Sequence, residues 1–139
     1  GGGVRRVLFG FDSPENPKVW LNEGVVVGEE ISYRFLLTDL PSDPSDAFFV
    51  FPSSGGISIE IIGLKLYRNT KLLKKFNAQE LSLEPERGMM IGNLIYSNYA
   101  GGEKVYLKDD LFALEVPDKL TLTMVVHRLD NSSLCSGNK

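Results

Sequence analysis

The stretch LTLTMVVHRL, residues 120–129, decides the fold. Leu120, Leu122, Met124 and Val126 fall at every second position, with Thr121, Thr123, Val125 and His127 between them. Side chains on a strand point alternately to opposite faces, so the pattern predicts a strand with one apolar face and one more polar face. The same period extends outward from it. In EEISYRFLLTD (29–39), Ile31, Tyr33, Phe35 and Leu37 share a face, and in RRVLFGFD (5–12) so do Val7, Phe9 and Phe11. In GISIEIIGLKLYRN (56–69), Ile57, Ile59 and Ile61 align until Gly63 interrupts. Leu64 and Leu66 then continue in the shifted phase, as a bulge at Gly63 requires. These runs are rich in β-branched and aromatic residues, which suit a pleated, half-buried surface.

Turn chemistry separates them: DSPENPK, NEG, TDLPSDPSDA, PSSGG, RNTK, EPERG, NYAGGE and VPDK. Such closely spaced breaks predict an all-β fold, a single antiparallel β-sandwich of Ig-like or jelly-roll type. About nine strands are expected, at 4–11, 19–27, 30–38, 47–51, 57–67, 71–76, 89–96, 104–116 (with a possible break) and 119–129. The best helical candidate is NTKLLKKFNAQELSLEPE (69–86). A hairpin return across 71–76 fits the preceding strand better, leaving NAQEL as one short turn. Residues 1–139 read as one domain with flexible ends at 1–3 and 131–139.

Composition excludes more than it identifies. The chain has 139 residues, 42% hydrophobic and 24% charged, with 15 Lys+Arg against 18 Asp+Glu and a formal net charge of −3. Its basic clusters, Arg5-Arg6 and Lys71 with Lys74-Lys75, read as solvated strand faces, so no nucleic-acid partner is expected. No apolar run is long enough for a transmembrane helix. The single cysteine, Cys135, allows no internal disulfide. Asn131-Ser132-Ser133 matches a glycosylation sequon. An extracellular or periplasmic setting is favoured, and the oligomeric state is left open.

His127 is the only histidine, three residues after Met124. An odd spacing puts the two on opposite strand faces, Met124 with the core and His127 with the threonines, so they do not chelate one ion. Met89-Met90 are soft thioethers that suit Cu(I), but one histidine and scattered methionines make a poor site. No nucleophile–base pairing, nucleophile elbow, phosphate loop, zinc helix or dinucleotide fingerprint is present, and a non-enzymatic role is expected. Paired carboxylates acting on a glycosidic bond are the residual enzymatic option.

Two stretches invite ligands. TDLPSDPSDAF (38–48) places Asp39, Asp43 and Asp46 beside two prolines, an oxygen-rich cluster that makes calcium a candidate. LIYSNYAGGEKVY (94–106) sets Tyr96 and Tyr99 beside Asn98, with Asn93 just upstream and a flexible Gly101-Gly102 downstream. Aromatic rings stack on sugar faces while amides bond hydroxyls, so Trp20, Asn93, Tyr96, Asn98 and Tyr99 are the candidate ligand residues. Tyr96 and Tyr99 are an odd number apart and serve one site only if the strand ends near Ser97.

In outline, VLFGFDSPENPKVW (7–20) is similar to the opening strand of many jelly-roll carbohydrate-binding modules. IGLKLYRNTKLLKKF (62–76) followed by LSLEPERG (81–88) looks like an Ig-like accessory domain. No family assignment follows from either. Two function classes are expected: a non-catalytic module binding a glycan or other extracellular ligand, or a structural, assembly or protein-partner-binding subunit of surface, pilus-like or capsid-like type.

Overall fold

The computed structural model describes residues 6–12, 18–40, 46–53 and 56–128, with Glu23 described by its backbone alone. Eleven strands run through them: β1 (Arg6–Phe11), β2 (Lys18–Glu23), β3 (Glu30–Leu36), β4 (Ala47–Phe51), β5 (Ile57–Arg68), β6 (Lys71–Asn77), β7 (Leu83–Pro85), β8 (Met89–Ile91), β9 (Leu94–Ser97), β10 (Glu103–Leu107) and β11 (Lys119–Arg128). They form two antiparallel sheets packed as a β-sandwich. One sheet has the order β2-β1-β4-β10-β7 and the other β3-β11-β5-β9-β8. β5 is long enough to hold two neighbours on one side. Ile57–Glu60 pair with β9, and Gly63–Arg68 pair with β6.

The alternation places the core as expected. Val7, Phe9, Phe11, Tyr33, Phe35, Leu37, Ile59, Leu122, Met124 and Val126 are buried between the sheets. Ile31, also expected inside, is half-buried because β3 is an edge strand. Phe9 sits at the centre of an aromatic cluster, with ring centroids 5.0 Å from Phe49, 5.2 Å from Phe11 and 6.0 Å from Phe35. The irregularity expected near Gly63 is present. Thr123 pairs with Gly63 and Met124 with Ile61, so Ile62 is the extra residue. On one flank, the Asn22 side chain of β2 donates to the Arg34 carbonyl of β3 at 2.8 Å, tying an edge of one sheet to an edge of the other.

The strand count exceeds nine for local reasons. The 89–96 run is a hairpin, because Gly92 (φ +62°) turns the chain with Asn93 and separates β8 from β9. The 19–27 run stops at Glu23, where Gly24 (φ +87°) leaves the extended region. Val27 keeps only an isolated parallel bridge to Val126. The 104–116 run ends at Leu107. There the Asp109 carboxylate accepts from the Ser82 amide and Asp110 from the Phe112 amide, which favours a turn. The three-residue β7 was not anticipated, since so short a run carries no periodicity.

The 69–86 segment resolves as a hairpin. Asn69 (φ 56°) makes the turn and β6 returns along β5. A single 3-10 turn, Ala78–Glu80, follows under a capping box in which Asn77 and Glu80 exchange bonds at 3.0 and 3.1 Å. Lys71, Lys74 and Lys75 on β6 place charge along an edge strand, which discourages strand addition there. Among the described residues no helix is long and apolar enough to cross a membrane.

Candidate functional site

Three short segments meet at one corner of the sandwich: the 86–88 turn between β7 and β8, the end of β9, and the 98–102 loop that leads into β10. Glu103 ties them together. It opens β10 in the inward phase and is only 1% exposed. Arg87 donates its backbone N–H to Oε2 at 2.7 Å, and the Ser97 hydroxyl donates to Oε1 at 2.5 Å. Burial alone pushes the Glu103 carboxyl up. The Ser97 hydroxyl and the backbone amides of Gly88, Arg87 and Glu86 outweigh that and hold it below its ordinary value. The carboxylate is therefore charged, and its charge is taken up by donors already in place.

The loop is pinned from both sides. Ser97 Oγ accepts from the Tyr99 amide at 3.2 Å, and the buried Ser53 hydroxyl donates to the Tyr99 carbonyl. Two glycines permit close approach. A Cβ at Gly88 would lie 2.2 Å from the Tyr96 carbonyl oxygen, and one at Gly101 would lie 2.7 Å from the Tyr99 ring.

This frame presents a groove of about 320 Å³ lined by Gly56, Arg87, Gly88, Met89, Tyr96, Ser97 and Asn98. The Arg87 guanidinium also lies over the Tyr99 ring, 4.1 Å from its centroid, so Tyr99 supports one of the residues that line the groove. Tyr99 itself is 41% exposed. β9 ends at Ser97, which places Tyr96 on the strand and Tyr99 in the loop after it; Tyr96 lines the groove and Tyr99 does not.

Pairing register extends the site across the outer face of its sheet. Met89 is opposite Tyr96, Tyr96 opposite Ser58, and Ser58 opposite His127, a row of side chains across β8, β9, β5 and β11. Ser58 points outward, between inward Ile57 and Ile59, yet is buried between its neighbours in that row. His127 is half-exposed and its Nε2 lies 2.7 Å from Glu60 Oε1. Met124, three residues earlier, is wholly inside the core.

The other expected ligand residues lie elsewhere. Asn93 is in the β8–β9 turn, at the far end of β9, where its side-chain amide donates to the Ile61 carbonyl at 3.0 Å. Its role there is to close the turn onto β5. Trp20 turns inward from β2, stacks on Phe9 (6.0 Å, 19°) and meets Phe11 edge-on (5.9 Å, 90°). Alternation on β2 assigns the exposed positions to Val19 and Leu21 instead. Among the described residues the Trp20 indole N–H has no acceptor.

Of the calcium candidates, Asp43 lies outside the described residues. Asp39 occupies a bend after β3 with φ 53°, and Asp46 is exposed, its carbonyl accepting from the Asp12 amide. Among the described residues no three His, Cys, Asp or Glu side chains converge as a metal-ligand set.

Arg87, Ser97 and Glu103 were not picked out from the sequence as ligand residues, and Met89 was weighed there only as a thioether for copper. One signal for Glu103 was available: it shares the phase of Val105 and Leu107, and a charged residue in an inward phase needs local donors. Neither a protein-family model, nor a curated protein, nor a solved structure matches this chain.

Proposed function

We propose that the protein is a non-catalytic binding module and that the Tyr96 groove takes a glycan. The observation that carries this is the convergence of Tyr96, Asn98 and Arg87 in one groove on a frame held by Glu103. An aromatic ring offers a sugar its flat face, and an amide and a guanidinium offer hydrogen bonds to hydroxyls. Little ordering is needed on binding, because the loop is already pinned and the Arg87 side chain is already stacked. His127, half-exposed further along the same row, extends the surface for a chain of sugars.

The test is an oligosaccharide array followed by titration of any hit against Tyr96→Ala. Loss of binding in a variant that stays folded supports the groove. Binding that survives Tyr96→Ala moves the site elsewhere.

A second function, assembly with a protein partner, draws support from the opposite sheet. Its outer face carries Leu8, Val19, Leu21 and Val50 side by side, with Val19 and Leu21 nearly half exposed. Beside it, Lys104 lies over the buried Phe48 ring and the Tyr106 ring and is paired to Asp12 at 3.3 Å. A defined oligomer in light scattering, dispersed by Leu21→Lys, would favour this function over glycan binding.

A further inference from the structure

We infer that the ligand of the Tyr96 groove is an acidic saccharide, with Arg87 as the residue that recognises its carboxylate or sulfate group. The inference rests on the glycan proposal and specifies its chemistry. Among the residues lining the groove, Arg87 is the one that carries a charge. Its guanidinium pairs with no carboxylate among the described residues, where the cations that do form ion pairs are Lys71, Lys104, Lys108 and His127. A cation left without a partner beside a stacking ring is open to an anion on the ligand.

The guanidinium is also preset. It lies over the Tyr99 ring, 4.1 Å from the centroid, and its own backbone N–H is held by Glu103. A cation–π contact leaves the guanidinium N–H groups able to donate, and their fork suits a carboxylate or sulfate. Glu86 and Glu103 are nearby negative charges that would oppose such a ligand, and exposed Glu86 is not among the residues lining the groove. Glu103 is buried, and its oxygens are taken by Ser97 and Arg87 N–H. The charge that the groove lining itself presents is therefore positive.

An array of neutral, uronic-acid, sialylated and sulfated oligosaccharides is read first against the intact chain. Tetragalacturonate and its methyl ester then serve in calorimetry as a matched charged and neutral pair, with a heparin-derived tetrasaccharide as the sulfate arm. Acidic ligands are expected to bind roughly tenfold tighter than neutral ones, because charge-assisted bonds are about twice as strong as neutral ones. Arg87→Gln should weaken acidic ligands far more than neutral ones and so remove that preference, and added salt should weaken only the acidic ligands. Thermal melting of Arg87→Gln checks that it folds. Equal binding of neutral and acidic ligands, or an acidic preference that survives Arg87→Gln, overturns the inference and leaves the groove as a glycan site. No binding to any saccharide by the folded chain overturns both.

Discussion

Ser97 donates its hydroxyl to buried Glu103 at 2.5 Å across the base of the 98–102 loop, and the same oxygen accepts from the Tyr99 amide. One strand end thereby holds a carboxylate inside the protein and a tyrosine outside it. These bonds tie together a corner that consists mainly of turns and loop.

That arrangement makes stability depend on pH. The folded Glu103 carboxyl sits below its ordinary value of 4.5, so the unfolded chain takes up the proton first. The contribution is complete above that ordinary value. It falls away as pH drops below 4.5 and is lost once the lower folded value is passed. Urea unfolding at neutral and acidic pH should show this loss in the native chain. Glu103→Gln should cost about 1–3 kcal/mol at neutral pH, because an amide places a donor against donors, and should flatten the acid limb. An unchanged acid limb in that variant would assign the loss to other carboxylates.

Core truncations should separate Trp20 from the ligand residues. Trp20 stacks on Phe9, so Trp20→Ala should lower stability by about 3 kcal/mol and leave ligand affinity untouched. Phe35→Ala, at a site 1% exposed, should cost about 3–5 kcal/mol. Chemical denaturation measures both. A Trp20→Ala variant of native stability with lost binding would restore Trp20 as a platform.

Gly88→Ala should be among the more damaging small substitutions. The added methyl would meet the Tyr96 carbonyl and the Ser97 side chain, forcing β8 away from β9. A cost of about 1–3 kcal/mol is expected from such overpacking. Chemical shifts of Tyr96 and Met89 should move with it, and native shifts in a stable variant would count against the close approach.

His127→Ala should be mild. The His127–Glu60 pair is partly exposed on both sides, and pairs of that kind contribute about 1 kcal/mol or less. Thermal melting at low and high salt checks it. A loss several times larger would mean that His127 supports buried Ser58 as well as Glu60.

Tyr99→Ala should loosen Arg87 without unfolding the corner, since the loop is held through the backbone of Tyr99 and not its ring. Affinity for any groove ligand should fall severalfold, through lost preorganisation, at nearly constant melting temperature. A large drop in melting temperature would show that the ring carries the loop.

The residues by themselves determined the all-β sandwich, the inward set led by Phe9, Phe35, Leu122 and Met124, the irregularity beside Gly63, and the separation of Met124 from His127. Each follows from the two-residue period of a strand, which is local and readable along the chain. Tertiary structure decided the site. Arg87 meets Tyr99 and Glu103 meets Ser97 and Arg87 because strands of different sheets end at one corner. Trp20 and Asn93 look like ligand residues in sequence, yet pairing register turns the first into the core and the second onto the Ile61 carbonyl. Pairing register and loop closure join positions distant along the chain, so no local pattern of residue types encodes them.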